Sequence, residues 1–273
     1  MTVESITFIG GGNMARSLIA GLVRQGVPAA QIHVAEPVAA LREALAADFG
    51  VQTHDNAAEA AAQGQTWLLA VKPQVLREVC QSLQALAQAQ APLVVSIAAG
   101  ITSAQLQRWL GGTLPVVRAM PNTPALLGAG VTGLYATAAV DAQQQAQADR
   151  VLASAGRTVW IDDEALMDSV TAVSGSGPAY VFLLAEAMEA AGIAQGLPAD
   201  AARALVVQTL LGASRMLDEA GENPAELRRR VTSPNGTTQA AIESFQADGF
   251  EALVAKALQA AQQRGRELSA AND

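Results

Sequence analysis

Residues 10–15 read Gly10-Gly11-Gly12-Asn13-Met14-Ala15, between a short apolar run, Ser5–Ile9, and a helical pattern, Met14–Arg24. Leu18, Ile19, Leu22 and Val23 recur at helical spacing, which gives that helix one apolar face. Gly26 ends it, and Gln31–Ala35 reads as a second strand. Strand, glycine turn, helix and strand within about thirty residues is the setting in which G-x-G-x-x-A has a physical meaning. Gly10 allows the tight turn, Gly12 lets backbone come close to a pyrophosphate, and Ala15 lets helix and strand pack closely. The free N–H groups at the helix start, from Asn13 and Met14 on, then face an anion. Such a turn demands a parallel sheet beside it, so it fixes the plan of the first half of the chain.

The strand–helix alternation continues. Thr66–Val71 reads as a buried strand ending at Lys72-Pro73, with Pro73 opening a helix over Val75–Gln88. Leu93–Ala98 is the next strand, and Thr102 or Ser103 caps the helix that runs to Leu110. Pro115–Ala119 follows, then Met120-Pro121-Asn122-Thr123-Pro124; Val131–Ala136 and Arg157–Ile161 read as late strands around a helix from Asp141 to Ser154. Repeated strand–helix units make a Rossmann-type doubly wound parallel sheet, expected over residues 1–162.

Ligands of such sheets bind beyond the carboxyl ends of the strands. The cofactor candidates are therefore Gly10, Gly11, Gly12, Asn13 and Met14; Glu36; Ala70, Val71, Lys72 and Pro73; Ala98, Ala99 and Gly100; and Met120, Pro121, Asn122 and Thr123. Glu36 closes the second strand, where a carboxylate meets the adenosine ribose and favours the free 2′-hydroxyl of NAD over the 2′-phosphate of NADP. The alternative role for Glu36 is to support the start of the helix after Pro37. Asn122 and Thr123, between two prolines, form a rigid polar turn suited to a hydrogen-bonding wall near the nicotinamide.

After Asp162 the strand signal stops. Glu164–Ala172, Pro178–Ala191, Pro198–Glu219, Pro224–Val231, Thr237–Ala247 and Phe250–Leu268 read as helices, several opening on Pro and ending near Gly. Residues 163–273 are expected to form an all-α domain. Its first long helices are apolar nearly all round, as in Val181-Phe182-Leu183-Leu184 and Ala201–Leu211, and such helices must be buried. So much apolar surface on so small a helical core predicts packing against a second copy of the chain. Two small-residue stretches stand out here: Ser174-Gly175-Ser176-Gly177-Pro178 and Ser233-Pro234-Asn235-Gly236-Thr237-Thr238. Each is expected to be a loop feeding a helix N-terminus, and together they suggest binding of a small carboxylate.

Composition removes several function classes. The 273 residues carry a formal net charge of −8, which disfavours nucleic acid as a partner. The one dense basic run, Arg228-Arg229-Arg230, lies beside Glu222 and Glu226. Two histidines, His33 in a strand and His54 in a loop, and one cysteine, Cys80, are too few for a zinc site, and no metal is expected. A single cysteine forms no disulfide within the chain, which points to the cytoplasm. The start of the chain has no basic region followed by an apolar run, so no signal peptide is expected. The low-polarity stretch Leu126–Val140 is broken by Gly128, Gly130 and Gly133, so no membrane span is expected.

Five stretches together make the chain resemble the pyrroline-5-carboxylate reductases: Phe8–Met14, Ala70–Gln74, Arg118–Pro124, Ser174–Tyr180 and Val231–Thr238. The last two are far more specific than the glycine turn. The family commonly has glycine where this chain has Asn235, and asparagine tolerates the left-handed backbone such a loop requires. The resemblance implies reduction of 1-pyrroline-5-carboxylate to L-proline by hydride from NADPH or NADH, with NADPH usually preferred, in the final step of proline biosynthesis. It implies that the loop Ser233–Thr238, with Ser233, Gly236 and Thr237 and Thr238 above all, holds the substrate carboxylate, and that Asn56 meets the adenosine ribose; Ser174, Gly175, Ser176, Gly177 and Pro178 are the further substrate candidates from the first small-residue stretch, and Thr238 is the catalytic candidate. It also implies a homodimer through the C-terminal helices, often assembled into a decamer.

The missing residues agree with that chemistry. Reducing a ketone calls for a positioned acid such as His or Lys, and the helical half has no histidine and only Lys256 near its end. A basic cyclic imine arrives already protonated and needs mainly to be held and aimed. Two other readings compete. A β-hydroxyacid dehydrogenase would use a lysine on a helix of the second domain, which Ala179–Leu211 lacks. A non-catalytic dinucleotide sensor that dimerises would leave the two small-residue stretches without a task.

Overall fold

A computed structural model of the chain describes residues 4–272. The expected domain limits at residues 1 and 273 lie outside the described residues. Eight strands form one sheet: β1 Ile6–Ile9, β2 Ile32–Ala35, β3 Gln52–His54, β4 Thr66–Leu69, β5 Leu93–Ser96, β6 Val116–Met120, β7 Gly130–Ala136 and β8 Gly156–Trp160. Their order is β3-β2-β1-β4-β5-β6-β7-β8. The helices between them are α1 Asn13–Arg24, α2 Ala39–Phe49, α3 Ala57–Ala61, α4 Pro73–Gln90, α5 Ser103–Trp109 and α6 Ala142–Leu152.

The strands bury both faces because adjacent side chains point to opposite sides. Phe8, Val34, Leu68 and Val95 pack with Leu18, Ile19 and Leu22 of α1 and Val151 and Leu152 of α6. Ile9, Trp67, Leu69 and Val94 pack on the other face with Leu76 and Leu83 of α4 and Leu106 and Trp109 of α5. Each fully buried side chain of this size contributes about 1.5–3 kcal/mol. The capping chemistry matches the residues present. Thr102 caps α5 and Asp141 caps α6, each in a reciprocal pair with the glutamine three residues on, Gln105 and Gln144.

Three features depart from the sequence reading. The sheet is not parallel throughout, because β7 runs antiparallel to β6. The link between them, residues 121–129, holds only a short 3-10 turn, Thr123–Leu127, and a parallel crossover needs about a dozen residues or more. The β7-to-β8 link contains α6, and that pair is parallel. Second, His54 ends strand β3 at the sheet edge and is not in a loop. Third, the stretch around Ser174 is not an open loop. Glu164–Leu166 is a 3-10 turn, α7 is Met167–Val170, Thr171–Gly175 continues as a wider π turn, and α8 spans Gly177–Ala194. Ser176 itself has helical dihedrals. With helix on both sides, this is not the free helix N-terminus expected for an anion.

The chain divides into two compact units, one up to Ser176 together with the residues from Ala260 on, the other Gly177–Gln259. The second unit contains α8, α9 Ala199–Glu219, α10 Pro224–Arg230, α11 Thr237–Ala247 and the start of α12 Phe250–Ala271. Within it α8 packs on α9, with Gly192 against Ala202. The end of α12 belongs to the first unit, where Gly265 lies against Asp168 and Leu268 against Gly100.

Candidate functional site

In the first unit, six parallel neighbours deliver their C-terminal ends to one edge of the sheet. Most of the cofactor candidates sit just past those ends, and backbone bonds knit the loops together. Gly10 N–H donates to the Ala35 carbonyl at 2.9 Å, Ala70 N–H to Ile9 at 2.8 Å, and Ile97 N–H to Leu69 at 3.2 Å. Gly10 has φ +107°, and a Cβ there would lie 2.9 Å from the Ala70 carbonyl, so only glycine fits between these loops. At Gly12 a Cβ would meet nothing within 4 Å, which leaves room for a ligand against the backbone. Gly12 opens α1 without a side-chain cap, so the first N–H groups of this helix, at Asn13 and Met14, are available to an anion. These features fit a dinucleotide pyrophosphate.

Glu36 is 7% exposed, and its carboxylate is already engaged. Oε2 accepts from Gly11 N–H and Oε1 from Val38 N–H, each at 3.0 Å. Val38 precedes α2, so the carboxylate ties the glycine turn to the next helix start. The bond from Val38 N–H is the helix-start support read as the alternative role of Glu36. Arg42 Nη1 donates to the carbonyls of Glu36 and Pro37 at 2.7 and 2.9 Å, which keeps its charge beside this corner. Asn56 caps α3, its Oδ1 accepting from Ala58 N–H at 2.8 Å and Glu59 N–H at 3.2 Å. The pattern Asn56-Ala57-Ala58-Glu59 is the capping signal in the sequence that marks the start of α3.

Lys72 is exposed at the start of α4, with Val71 and Pro73 half-buried beside it. Ala98 and Gly100 are buried and Ala99 half-buried in the β5–α5 turn. Met120 is half-buried, Pro121 buried and Thr123 exposed, while both arms of the Asn122 amide are engaged within the protein. Nothing in the sequence pattern reveals the buried cluster that braces the β5–α5 turn. Arg118 of β6 reaches Glu164 at 3.3 Å and Asp168 at 3.7 Å. Glu164 in turn accepts from both the N–H and the hydroxyl of Ser103, at the first turn of α5. Gln105 Nε2 donates to the Ser269 carbonyl at 2.9 Å, so the last turns of α12 brace the same place.

Two other titratable groups are set by burial. Burial pushes the Cys80 thiol up to about 12, which leaves it unreactive. His33 Nδ1 lies 3.2 Å from His54 Nε2. Burial first, and the neighbouring His54 second, lower the pKa of His33. Among the described residues no group of three or more His, Cys, Asp or Glu side chains could hold a metal ion, and no helix is long and apolar enough to cross a membrane.

In the second unit, Ser233–Thr238 is a turn into α11. Gly236 N–H donates to the Ser233 carbonyl at 3.0 Å, and Asn235 N–H to Gln239 Oε1 at 2.7 Å. Asn235 has φ +57°, the left-handed backbone expected of it. Gly236 opens α11 with no side-chain cap, so the N–H groups of Thr237 and Thr238 are not taken by one. Thr238 is half-buried, Thr237 and Ser233 exposed.

Residues 164–268 match the family model described as pyrroline-5-carboxylate reductase dimerisation. Residues 5–100 match one described as NADP oxidoreductase, coenzyme F420-dependent. Over 271 residues the chain is 56% identical to a pyrroline-5-carboxylate reductase of Pseudomonas aeruginosa, covering 98% of each chain. It is 39% identical to a pyrroline-5-carboxylate reductase structure from Coxiella burnetii, with TM-score 0.95 and coverage of 98% and 99%. A pyrroline carboxylate reductase of Plasmodium falciparum solved with NADP bound is 26% identical, with TM-score 0.85 over 98% and 99% of the two chains.

Proposed function

The chain belongs to the pyrroline-5-carboxylate reductase family, and from that premise we infer that it reduces 1-pyrroline-5-carboxylate to L-proline with NADPH or NADH. The observation that carries this reading is the 56% identity to a reductase of that name over 98% of both chains. When bound, the reduced nicotinamide supplies a hydride to C5 of the imine. The chain's own residues bind and aim. The N-terminus of α1, with Gly10, Gly11 and Gly12, holds the pyrophosphate, and Glu36 and Asn56 flank the adenosine ribose. Ala70–Pro73, Ala98–Gly100 and Met120–Thr123 line the rest of the cofactor, Asn122 by its backbone alone, since both arms of its amide are engaged within the protein.

The substrate carboxylate is held at the start of α11 by the Thr238 hydroxyl and the N–H groups of Thr237 and Thr238, with Ser233 and Gly236 shaping the turn. Ser174–Pro178 lines the imine ring. The imine nitrogen arrives protonated and becomes the secondary amine, so holding and orientation supply most of the rate. We expect Thr238→Ala to fold and bind cofactor as before while kcat/KM falls about tenfold to a thousandfold. Unchanged kinetics would remove Thr238 from the site.

The protein self-associates through the helical half, and we place the functional boundary after residue 162, beside the start of the dimerisation match at residue 164. Assembly of dimers into a decamer and residence in the cytoplasm complete the proposal. The test is parallel initial rates of NADH and NADPH oxidation with 1-pyrroline-5-carboxylate. Turnover with either supports the reading, and no turnover from a folded, cofactor-binding protein overturns it. The ratio of the two efficiencies reads the charge of Glu36, which weighs against a 2′-phosphate.

A further inference from the structure

Pro178 breaks the regular bonding of the helix that carries Ser174 to Gly177. Its nitrogen has no hydrogen, so the Ser174 carbonyl, four residues earlier, loses the donor of a regular α-helix. The chain answers this in two ways. Bonding slips to wider spacing, with Ser176 N–H donating to the Thr171 carbonyl at 2.8 Å, which produces the π turn Thr171–Gly175. The side chain of Asn122 then supplies the missing donor, Nδ2 to the Ser174 carbonyl at 3.1 Å. Its other arm is fixed as well, since Oδ1 accepts from Val131 N–H at 3.0 Å at the start of β7. Asn122 is 9% exposed. Gly175 of the same turn faces the flexible end of the Met120 side chain. One asparagine thus joins the end of β6, the start of β7 and the only π turn among the described residues. Single π turns inside helices gather at functional sites.

We propose that Asn122 is a positioning residue for the reduction: by holding the Ser174 carbonyl it seats the Ser174–Ser176 turn against the end of β6, and the hydroxyl of Ser176 thereby takes its place at the imine. This rests on the reading that Ser174–Pro178 lines the substrate. The amide acts through that turn, its two arms being spent within the protein.

The test uses the full-length oligomer. Asn122→Asp keeps the shape and the acceptor for Val131 but sets an oxygen against the Ser174 carbonyl. The expected result is an imine KM raised about tenfold or more, the size of one buried hydrogen bond lost, with NADPH and NADH affinities by fluorescence titration within about twofold. Asn122→Ala removes the donor outright and is expected to give the same split. Ser176→Ala serves as the reference for the site itself. If Ser176→Ala raises the imine KM while Asn122→Asp and Asn122→Ala do not, the positioning role falls and the site reading stands. If none of the three changes that KM, the site reading falls and takes the inference with it. Loss of cofactor affinity in Asn122→Asp without a change in imine KM overturns the inference and makes the residue a nicotinamide contact.

Discussion

The two compact units bury their apolar residues to very different degrees. The sheet unit closes on itself: Phe8, Trp67, Leu68, Leu69 and Leu76 are fully covered. In the helical unit only Ala202, Val206 and Leu227 are buried among the apolar residues, and α8 has no buried residue at all. Phe182 and Leu183, neighbours on α8, are each 66% exposed. The helices are well formed, so local propensity is not what they lack. They lack a second surface. One unit carries its own core, and the other carries half of a core that a second copy completes, which fits the dimerisation match over residues 164–268.

The largest expected effect breaks the comparison at its weaker side. Phe182→Glu places a charge where a partner's apolar surface is expected. Sedimentation at micromolar concentration should then show monomer or aggregate, with reductase activity lost by about a hundredfold or more. An unaltered oligomer would mean that this face of α8 is solvated in the native protein. Next comes the closed core. Trp67→Ala should lower stability by about 3–5 kcal/mol. The contrast between the units is sharpened if the Tm loss in Trp67→Ala is the same at every protein concentration, while that of Phe182→Glu depends on it.

The smallest effect concerns the sheet edge. The pKa of His33 is lowered from its ordinary 6.5 in the folded chain, so the unfolded chain binds the extra proton first. Stability should therefore fall as pH drops from about 7 to about 5.5, and His33→Asn should flatten that slope. A Tm profile identical to the parent's would assign the acid sensitivity to other groups. The effect should be confined to the sheet unit, since His33 lies on β2 and His54 on the neighbouring edge strand β3.

Much of the first unit was legible because its signals are local. A glycine turn between strand and helix, prolines opening helices and reciprocal caps at Thr102 and Asp141 all act within a few residues. The antiparallel step at β7 was not, because strand direction depends on whether the link leaves room for a crossover, and the apolar alternation reads the same both ways. The three-residue strand β3 lacks the length for a pattern. The Ser-Gly stretch reads as a loop because small residues and proline are loop chemistry, yet neighbouring elements hold it as helix. The left-handed backbone of Asn235 is legible in the sequence, since that tolerance belongs to the residue type itself.

By itself, the sequence determined the periodic elements, the glycine turn with its anion-ready helix, the excess of apolar helix surface and the family. Those follow from residue types and short spacings, which act the same wherever the segment sits. The tertiary structure alone decided which partners distant polar groups would find. Arg118 meets Glu164 and Asp168, Glu36 closes on Gly11, and Asn122 replaces the hydrogen that Pro178 lacks. Such pairings join residues 25 to more than 50 positions apart. A buried polar group must be satisfied by whichever partner packing brings near, and no periodicity in the chain encodes that choice.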